Sequence, residues 1–200
     1  MLLDLKGDLA DRAYPILASL VCPRPIAWVT TLNDDDSVNA APFSFFNLMG
    51  TEPPLVVFCP GDQDDGTPKD TARNVQSRGE FVLHLVDEPL AEAMVRTSAS
   101  HPYGQSEAER EGLLTTPSAT LSAPRLTEAP VALECRVHSI QRIGQNRLVF
   151  GLIEAVHVRD DLYDPEHRKI RTDLYHPVGR MAVPNWYCTT REQFEIVRPA

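Results

Sequence analysis

The sequence predicts a mainly β protein, a closed antiparallel barrel of about six strands with two or three short helical decorations. Short β-branched, apolar segments alternate with turn clusters, and two pairs of these segments have the spacing of hairpins. Seventeen prolines divide the 200-residue chain into pieces that favour strands and loops over long helices. A hydrophobic content of 42% suits one domain over residues 1–200, with an irregular C-terminal extension from about residue 160.

The first predicted hairpin lies near the N-terminus. Residues 25–32 are apolar and β-branched, residues 33–37 form an Asn/Asp/Ser turn cluster, and residues 38–43 return as the partner strand. Leu55–Cys59 is a compact apolar run after two prolines and predicts a buried strand. These segments supply the first three strands of the predicted barrel.

A helix interrupts the strands next. Residues 69–79 have helical periodicity, with Asp70 as the predicted N-cap and Gly79 as the residue that ends the helix. Residues 81–86 resume as a strand that is apolar on both faces. Residues 89–98 predict a second short helix with a proline in its first turn.

The second half contains the clearest hairpin. Residues 101–122 are polar and predict an excursion from the sheet, with a short helix around Ser106–Glu111. Val131–Ile140 alternates between apolar and polar residues, residues 143–147 supply a turn, and Leu148–Val158 returns as a long strand.

Composition excludes several partners. A net charge of −9 and a pI near 5.1 argue against nucleic acid and against an anionic membrane surface. The chain begins without a basic leader and has no apolar run of membrane-spanning length, so we expect a cytoplasmic protein. The cysteines have no C-x-x-C spacing and predict reduced, mostly packed thiols and no metal site. They are Cys22, Cys59, Cys135 and Cys188.

Two segments carry candidate chemistry. Lys69 supplies a positive charge where a helix begins, and the first-turn amides with the Thr71 hydroxyl supply donors, which together suit a phosphomonoester. The second segment is residues 41–47, where Pro42 takes the chain out of regular strand pairing. Three phenylalanines flank Ser44 there, and an apolar slot with free polar groups along one edge suits a planar heterocycle. Each segment alone also has a structural explanation, as a capped helix and as core phenylalanines.

Read together, four blocks resemble the flavin reductase-like, FMN-binding split-barrel family. The blocks are PRPIAWVTT at 23–31, NAAPFSFFN at 39–47, PPLV at 53–56 and KDTARN at 69–74. Weaker similarity extends the resemblance over most of the chain from Tyr14 to Val158. The resemblance implies a six-stranded split barrel that forms a homodimer and holds FMN near the dimer interface.

The resemblance also implies which residues bind the cofactor. Lys69 and Thr71 would contact the phosphate, with Asp70 capping the helix behind them. Thr30 and Thr31 would lie beside the phosphate and the ribityl chain. The residues expected along the isoalloxazine ring are Asn39, Ser44 and Phe45, with Arg24 close to the cofactor's edge. The sequence indicates no catalytic acid or base.

The C-terminal part departs from the family pattern. Where the family has Gly-Arg-Leu-Gly-Gly, this chain replaces two glycines and gains a proline in the segment Met181–Pro184. We expect the stiffer, bulkier loop to affect the nicotinamide side of the pocket more than flavin binding. Trp186 and Tyr187 either cover the flavin or pack the chain end, and a role for the loop histidines His101 and His176 stays open.

The sequence therefore favours an FMN-binding oxidoreductase, an NAD(P)H-dependent flavin reductase that passes hydride to flavin N5. NADH or NADPH would be the co-substrate, and a monooxygenase or another acceptor would take the reduced flavin. Three alternatives are an FMN-containing electron-transfer protein, a flavin-free binding module and a relative of the pyridoxamine-phosphate oxidases. The flavin-free module is disfavoured by four intact residues: Lys69, Thr71, Asn39 and Ser44.

Overall fold

The protein is a mainly β structure, as predicted, seen here in a computed structural model that describes residues 1–63 and 65–199. Fourteen strands occur in these residues. In chain order they are β1 Arg24–Pro25, β2 Ala27–Leu32, β3 Val38–Phe43, β4 Phe46–Thr51, β5 Pro54–Phe58, β6 Glu80–Leu85, β7 Thr115–Thr116, β8 Arg125–Leu126, β9 Val131–Ile143, β10 Asn146–Val158, β11 Tyr163–Asp164, β12 Lys169–Ile170, β13 Gly179–Arg180 and β14 Tyr187–Cys188.

Seven strands form one antiparallel sheet in the order β3-β2-β6-β9-β10-β5-β4. Both predicted hairpins, β2–β3 and β9–β10, are confirmed. The outermost strands, β3 and β4, are consecutive in the chain and are joined by Ser44 and Phe45. Because one short turn connects the two edges, the sheet must curl back on itself, as in a split barrel. Within the described residues β3 and β4 share no ladder, so the barrel is open along this line.

Of the seven strands in this sheet, β4 is the one that the sequence does not predict, and the pairing corrects the interpretation that Pro42 takes the chain out of regular pairing. Pro42 lies in regular pairing opposite Trp28, because an edge strand accommodates a residue without an N–H. Phe46 begins β4 opposite Phe58 and packs against the core. Only Ser44 and Phe45 form the turn.

In the described part of the chain, four α-helices flank the sheet, and the sequence missed the first. They are α1 Ala13–Leu20, α2 Asp70–Arg78, α3 Ala91–Arg96 and α4 Glu107–Arg110, with 3₁₀ turns at Ala10–Arg12, Glu88–Leu90 and Asp160–Leu162. The helix predicted at 89–98 is therefore a 3₁₀ turn followed by α3. None of the helices described here has the length and apolarity needed to cross a membrane.

The ends of α2 test the capping predictions. Gly79 ends the helix with φ of 71°, in the left-handed region that favours glycine, as predicted. The prediction of Asp70 as the N-cap is wrong by one residue: Lys69 occupies that position with extended backbone, and Asp70 is the first helical residue. The Asp70 carboxylate instead accepts the Gly104 N–H at 3.3 Å, which ties α2 to the excursion after α3.

Two apolar clusters pack on opposite faces of β2 and β6. The barrel interior contains Val29, Phe58, Phe81 and Cys135. The outer cluster is formed by Ile26, Trp28, Val86, Met94, Leu126 and Val178, and it lies beneath α3 and the C-terminal segment. The strand β2 is thus covered on both sides, and its partner β3 forms one wall of the site described below.

Candidate functional site

One pocket brings together four of the residues that the sequence singles out: Asn39, Lys69, Asp70 and Thr71. It lies between the edge strand β3, the first turn of α2, and the segment 97–101 that follows α3. Its apolar wall is Ala41, Pro42 and Phe43. The other lining residues are Gln63, Thr97, Ser98, Ala99, Ser100, His101 and Glu107.

A network of amides and hydroxyls sets the orientation of Thr71. The Asn39 Nδ2 group donates to Thr71 Oγ1 and to Thr31 Oγ1, each at 2.9 Å. Asn74 Nδ2 donates to Thr31 Oγ1 at 2.9 Å as well. Thr71 is buried, and its oxygen accepts, so its own proton remains to be donated into the pocket.

The first turn of α2 adds further donors. The first intrahelical bond runs from the Arg73 N–H to the Lys69 carbonyl at 3.0 Å, so the amides of residues 70–72 precede the helical ladder. The helix dipole makes this end partially positive, and Lys69 carries a full charge on an exposed side chain at the same end. The hydroxyl, the amides and the ammonium group together suit an anionic phosphate.

Two carboxylates in the same pocket oppose an anion. The Asp70 carboxylate accepts a hydrogen bond from the Gly104 N–H. The Glu107 Oε2 atom accepts the Ala40 N–H of the β3 edge at 3.1 Å. Burial raises the pKa of the Glu107 carboxyl, and the bond from Ala40 offsets this only in part. A higher pKa favours the neutral form of Glu107, which reduces its repulsion of a phosphate.

A second group of predicted residues lies at the turn between β3 and β4. Arg24 Nε donates to Ser44 Oγ at 3.4 Å, and the Arg24 guanidinium carbon is 5.9 Å from the centre of the Phe45 ring. Arg24 is buried, and it also donates to the carbonyls of Ala18, Val21 and Met181. It therefore ties together α1, the β3–β4 turn and the C-terminal loop.

The two groups are linked by β3. Asn39 lies near one end of this strand and Ser44 just beyond the other, and five residues of strand span about 17 Å. The strand can therefore support an elongated ligand with a polar end at α2 and a planar end at the β3–β4 turn. Thr31 stands behind Asn39 in the network. Thr30 points elsewhere, because its hydroxyl donates to the Pro124 carbonyl at 2.7 Å.

Sequence reasoning missed Glu107, Gln63 and most of the segment 97–101 as parts of the pocket. No spacing links them to the 69–74 block, since they reach the pocket through the tertiary fold alone. His101 lines the pocket, whereas His84 is fully buried and structural. Within the described residues no group of three His, Cys, Asp or Glu side chains is placed to hold a metal ion, and all four cysteines are free.

The C-terminal loop that departs from the family pattern is a short hairpin between β13 and β14. Its Met181 carbonyl accepts a hydrogen bond from Arg24 Nη2 at 3.1 Å, which brings the loop to the β3–β4 turn. Trp186 is 67% exposed, and Tyr187 lies beneath the Arg180 guanidinium, 4.7 Å from the ring centre. The altered segment thus borders the second group of residues.

The chain matches a known protein family and several solved structures. The flavin reductase like domain matches residues 19–181. An uncharacterized protein of Halalkalibacterium halodurans is 43% identical over 203 residues, covering 98% of this chain and 96% of that protein. The 2-nitrobenzoate 2-nitroreductase NbaA of Pseudomonas fluorescens superposes with a TM-score of 0.90 at 40% identity, covering 100% of this chain and 96% of that chain. Component B of nitrilotriacetate monooxygenase from Bacillus cereus superposes with a TM-score of 0.90 at 30% identity, covering 98% of each chain.

The split-barrel fold, the phosphate-suited pocket and these relatives place the protein among flavin-related oxidoreductases. The chain belongs to the flavin reductase-like domain family.

Proposed function

We propose that the protein binds FMN and reduces it with NADH or NADPH, passing the reduced flavin or its electrons to a separate acceptor. The observation that carries the proposal is the bond from Asn39 Nδ2 to Thr71 Oγ1 at 2.9 Å. This bond makes the buried hydroxyl a donor at the positive end of α2 and beside Lys69, which is what a phosphomonoester requires.

The residues of the chain bind and orient the flavin. Thr71, Lys69 and the first amides of α2 hold the phosphate end, and Asn39 and Thr31 keep the hydroxyl in place. Phe43 and the turn at Ser44 and Phe45 offer the flat surface for the isoalloxazine, with Arg24 at its edge. Hydride transfer from nicotinamide to N5 is the chemistry that the bound flavin supplies, and it requires no acid or base from the protein.

Absorption spectroscopy tests flavin binding directly. We expect the purified protein, supplied with FMN, to retain flavin bands after gel filtration. Lys69→Ala should weaken the affinity for FMN by about tenfold and the affinity for riboflavin by much less, because only FMN carries the phosphate. Lys169→Ala is the matched control, since Lys169 is on β12 and does not line the pocket. Equal losses for FMN and riboflavin would contradict the phosphate assignment.

One further measurement distinguishes the proposed reductase from the alternative, an electron carrier with little reductase activity. We expect NADH or NADPH to bleach the flavin bands of the loaded protein in the absence of air. Bands that persist with both nucleotides, and bleach with dithionite, would assign the protein to electron transfer without reductase activity.

We also propose that the protein is a homodimer through an apolar face next to the flavin. Large apolar side chains are exposed on α1, the β3–β4 turn and β4: Tyr14, Leu17, Leu20, Phe45, Leu48 and Met49. Tyr14 and Phe45 meet edge to face at 6.3 Å, which joins α1 to the turn. Monomeric proteins rarely expose so much apolar surface in one region. A second copy on this face would cover the ring end of the site.

Light scattering after gel filtration tests the dimer. Met49→Asp should shift the protein toward monomer, because it places a charge in the apolar face. Leu114→Asp is the control, since Leu114 is also exposed but lies outside this face. A wild-type protein that elutes as a monomer would contradict the dimer without affecting flavin binding.

The acceptor of the electrons is proposed from the relatives. The Bacillus cereus structure is component B of a monooxygenase, which supports a monooxygenase as the partner. Consumption of NADH by the protein with free FMN, followed by transfer of the reduced FMN to a purified flavin-dependent monooxygenase, tests this step. If chemically reduced FMN supports the monooxygenase reaction but this protein with NADH and FMN yields no product, that monooxygenase is excluded as the partner.

A further inference from the structure

The described part of the loop before α2 closes on itself where the helix begins. Asp62 forms an antiparallel bridge with Pro68, and the Gln63 N–H donates to the Thr67 carbonyl at 2.7 Å. Lys69 follows Pro68 directly and is the N-cap residue of α2. Because the two ends of the loop lie side by side at this bridge, a contact that fixes Asp62 also fixes the point where the chain enters α2.

The Asp62 carboxylate attaches this loop to the turn end of the β9–β10 hairpin. Arg147 Nη2 donates to Asp62 Oδ1 at 2.9 Å, and Arg142 Nη2 donates to Asp62 Oδ2 at 3.2 Å. The side chains of Asp62 and Arg147 are 11% and 3% exposed, whereas that of Arg142 is 61% exposed. The bond to Arg147 is therefore shielded from solvent, and it is the stronger part of the attachment.

The position of the two arginines explains why a carboxylate lies between them. Arg142 and Arg147 are directly opposite each other in the β9–β10 ladder. Like charges opposite each other on neighbouring strands destabilise a sheet, and a shared carboxylate offsets their repulsion. In the part of the chain that the structure describes, Asp62 is the one acid paired with either arginine. These three side chains form the Asp62 cluster, which joins the hairpin to the loop.

The loop brings two groups to the phosphate pocket. Gln63 follows Asp62 at the start of the loop and lines the pocket, and Lys69 lines it from the other end. The Lys69 side chain is exposed, so the position of its backbone decides where the ammonium group can reach. Arg142 and Arg147 do not line the pocket. Their effect on a phosphate must therefore pass through Asp62.

We propose that Asp62 is a positioning residue for the flavin phosphate. Its bonds to the β9–β10 hairpin fix the loop, so that Gln63 and Lys69 face the phosphate before it binds. This inference rests on the proposed flavin site. Without the ion pair, part of the binding free energy would be spent on ordering the loop. The affinity for the ring should not depend on the cluster, because the β3–β4 turn contacts Arg24 instead.

Fluorescence titration with FMN and riboflavin tests the proposal. Asp62→Asn should raise the Kd for FMN by about fivefold and change the Kd for riboflavin much less, because only FMN carries the phosphate. In a Lys69→Ala background the same substitution should have a smaller effect on the Kd for FMN, since the ammonium group that it positions is gone. Asp161→Asn is the matched control, because Asp161 forms an exposed ion pair with Arg159 and does not line the pocket.

A buried arginine without its carboxylate can unfold the protein, so a second variant separates folding from positioning. Asp62→Leu combined with Arg147→Met replaces the ion pair by apolar side chains, an exchange that often preserves stability. Thermal unfolding should show an intact fold for this double variant. Its Kd for FMN should still rise as in Asp62→Asn, because an apolar contact lacks the directional bonds that orient the loop.

The outcomes distinguish this proposal from the flavin site itself. A wild-type protein that binds neither flavin would overturn the proposed function and this inference together. If Lys69→Ala weakens the affinity for FMN but both Asp62 variants keep the wild-type Kd, only the inference is overturned. An equal loss of affinity for FMN and riboflavin in the folded variants would also overturn it, since Asp62 would then act on the fold as a whole. An undiminished effect of Asp62→Asn in the Lys69→Ala background would overturn it as well.

Discussion

Asn39 Nδ2 lies 2.9 Å from Thr71 Oγ1, and this bond joins the edge strand β3 to the first turn of α2. Both residues are buried, and their sequence separation is 32 residues. Neither the amide nor the hydroxyl can rotate freely, because Asn39 is also bonded to Thr31 at 2.9 Å. The hydroxyl is therefore preorganised to donate, which reduces the cost of ordering it when a phosphate binds.

Thr71→Val removes this donor and nearly preserves the side-chain shape. We expect the FMN Kd to rise by about tenfold to a hundredfold, the range for a lost bond to a charged group. Riboflavin affinity should change by much less, and Thr71→Ser should retain FMN binding. Fluorescence titration measures both ligands, and thermal unfolding of each variant checks that the fold is intact. If the affinity for riboflavin falls as much as the affinity for FMN, Thr71 acts through packing.

His84 makes folding sensitive to pH. Its Nδ1 lies 2.9 Å from the Trp28 carbonyl, and its Nε2 accepts the Leu126 N–H at 2.9 Å. A carbonyl can only accept and an N–H can only donate, so the ring is neutral with its proton on Nδ1. Burial lowers the pKa of His84 from 6.5 to about 4, with the bond to Trp28 opposing the shift.

Since the folded pKa is below the unfolded one, stability from neutral His84 is complete above about pH 6.5 and is lost as the pH falls toward 4. The loss over this window should be about 3 kcal/mol in the free energy of unfolding. Urea denaturation from pH 7 to 4 measures it, and His84→Gln should lose this part of the pH dependence. His138→Gln, at an exposed histidine of β9, should behave as the wild type does.

Glu134 is a buried carboxylate that stabilises the fold in its ionised form. It accepts the Ala119 and Thr120 N–H groups at 2.7 Å, the Thr120 hydroxyl at 2.6 Å, and a bond from His157. Burial alone would raise the pKa of Glu134, but these bonds outweigh it and lower the pKa to about 2. Its contribution is therefore complete above about pH 4.5 and is lost as the pH falls toward 2.

Glu134→Gln should reduce the free energy of unfolding at pH 7 by about 1–3 kcal/mol, because a charged acceptor is replaced by a neutral one. Glu154→Gln is the control: its pair with Arg136 is partly exposed, and its loss should cost less than about 1 kcal/mol. Equal effects in urea denaturation would show that the buried bonds contribute nothing beyond a surface pair.

Gly151 has no room for a side chain. A Cβ atom there would lie 2.4 Å from Cζ of Phe81 and 3.3 Å from Cβ of Cys135, inside the barrel. Gly151→Ala should therefore lower the free energy of unfolding by about 1–3 kcal/mol through overpacking. Gly61→Ala is the matched control, because nothing lies within 4 Å of its added Cβ. A neutral Gly151→Ala in chemical denaturation would mean that Phe81 can move aside at little cost.

Elements with local signals could be predicted from the amino-acid sequence. Both hairpins, the strand at Leu55 and the glycine that ends α2 follow from alternation, turn residues and the conformational freedom of glycine. The Lys69 and Thr71 groups that suit an anion could also be predicted, because both belong to one helical turn and are close in sequence. The polar end of the site was therefore accessible to sequence reasoning.

Tertiary structure alone decided the rest. The strand β4 and the regular pairing of Pro42 depend on β3 lying at a sheet edge, which no local pattern encodes. The Asp70 side chain bonds to Gly104, 34 residues away, so its role as an N-cap could not be judged from its neighbours. Glu107 and the segment 97–101 join the pocket because the excursion folds back over β3. Contacts between segments distant in sequence are set by how the folded elements pack, and local periodicity shows which face is buried but not which segments meet.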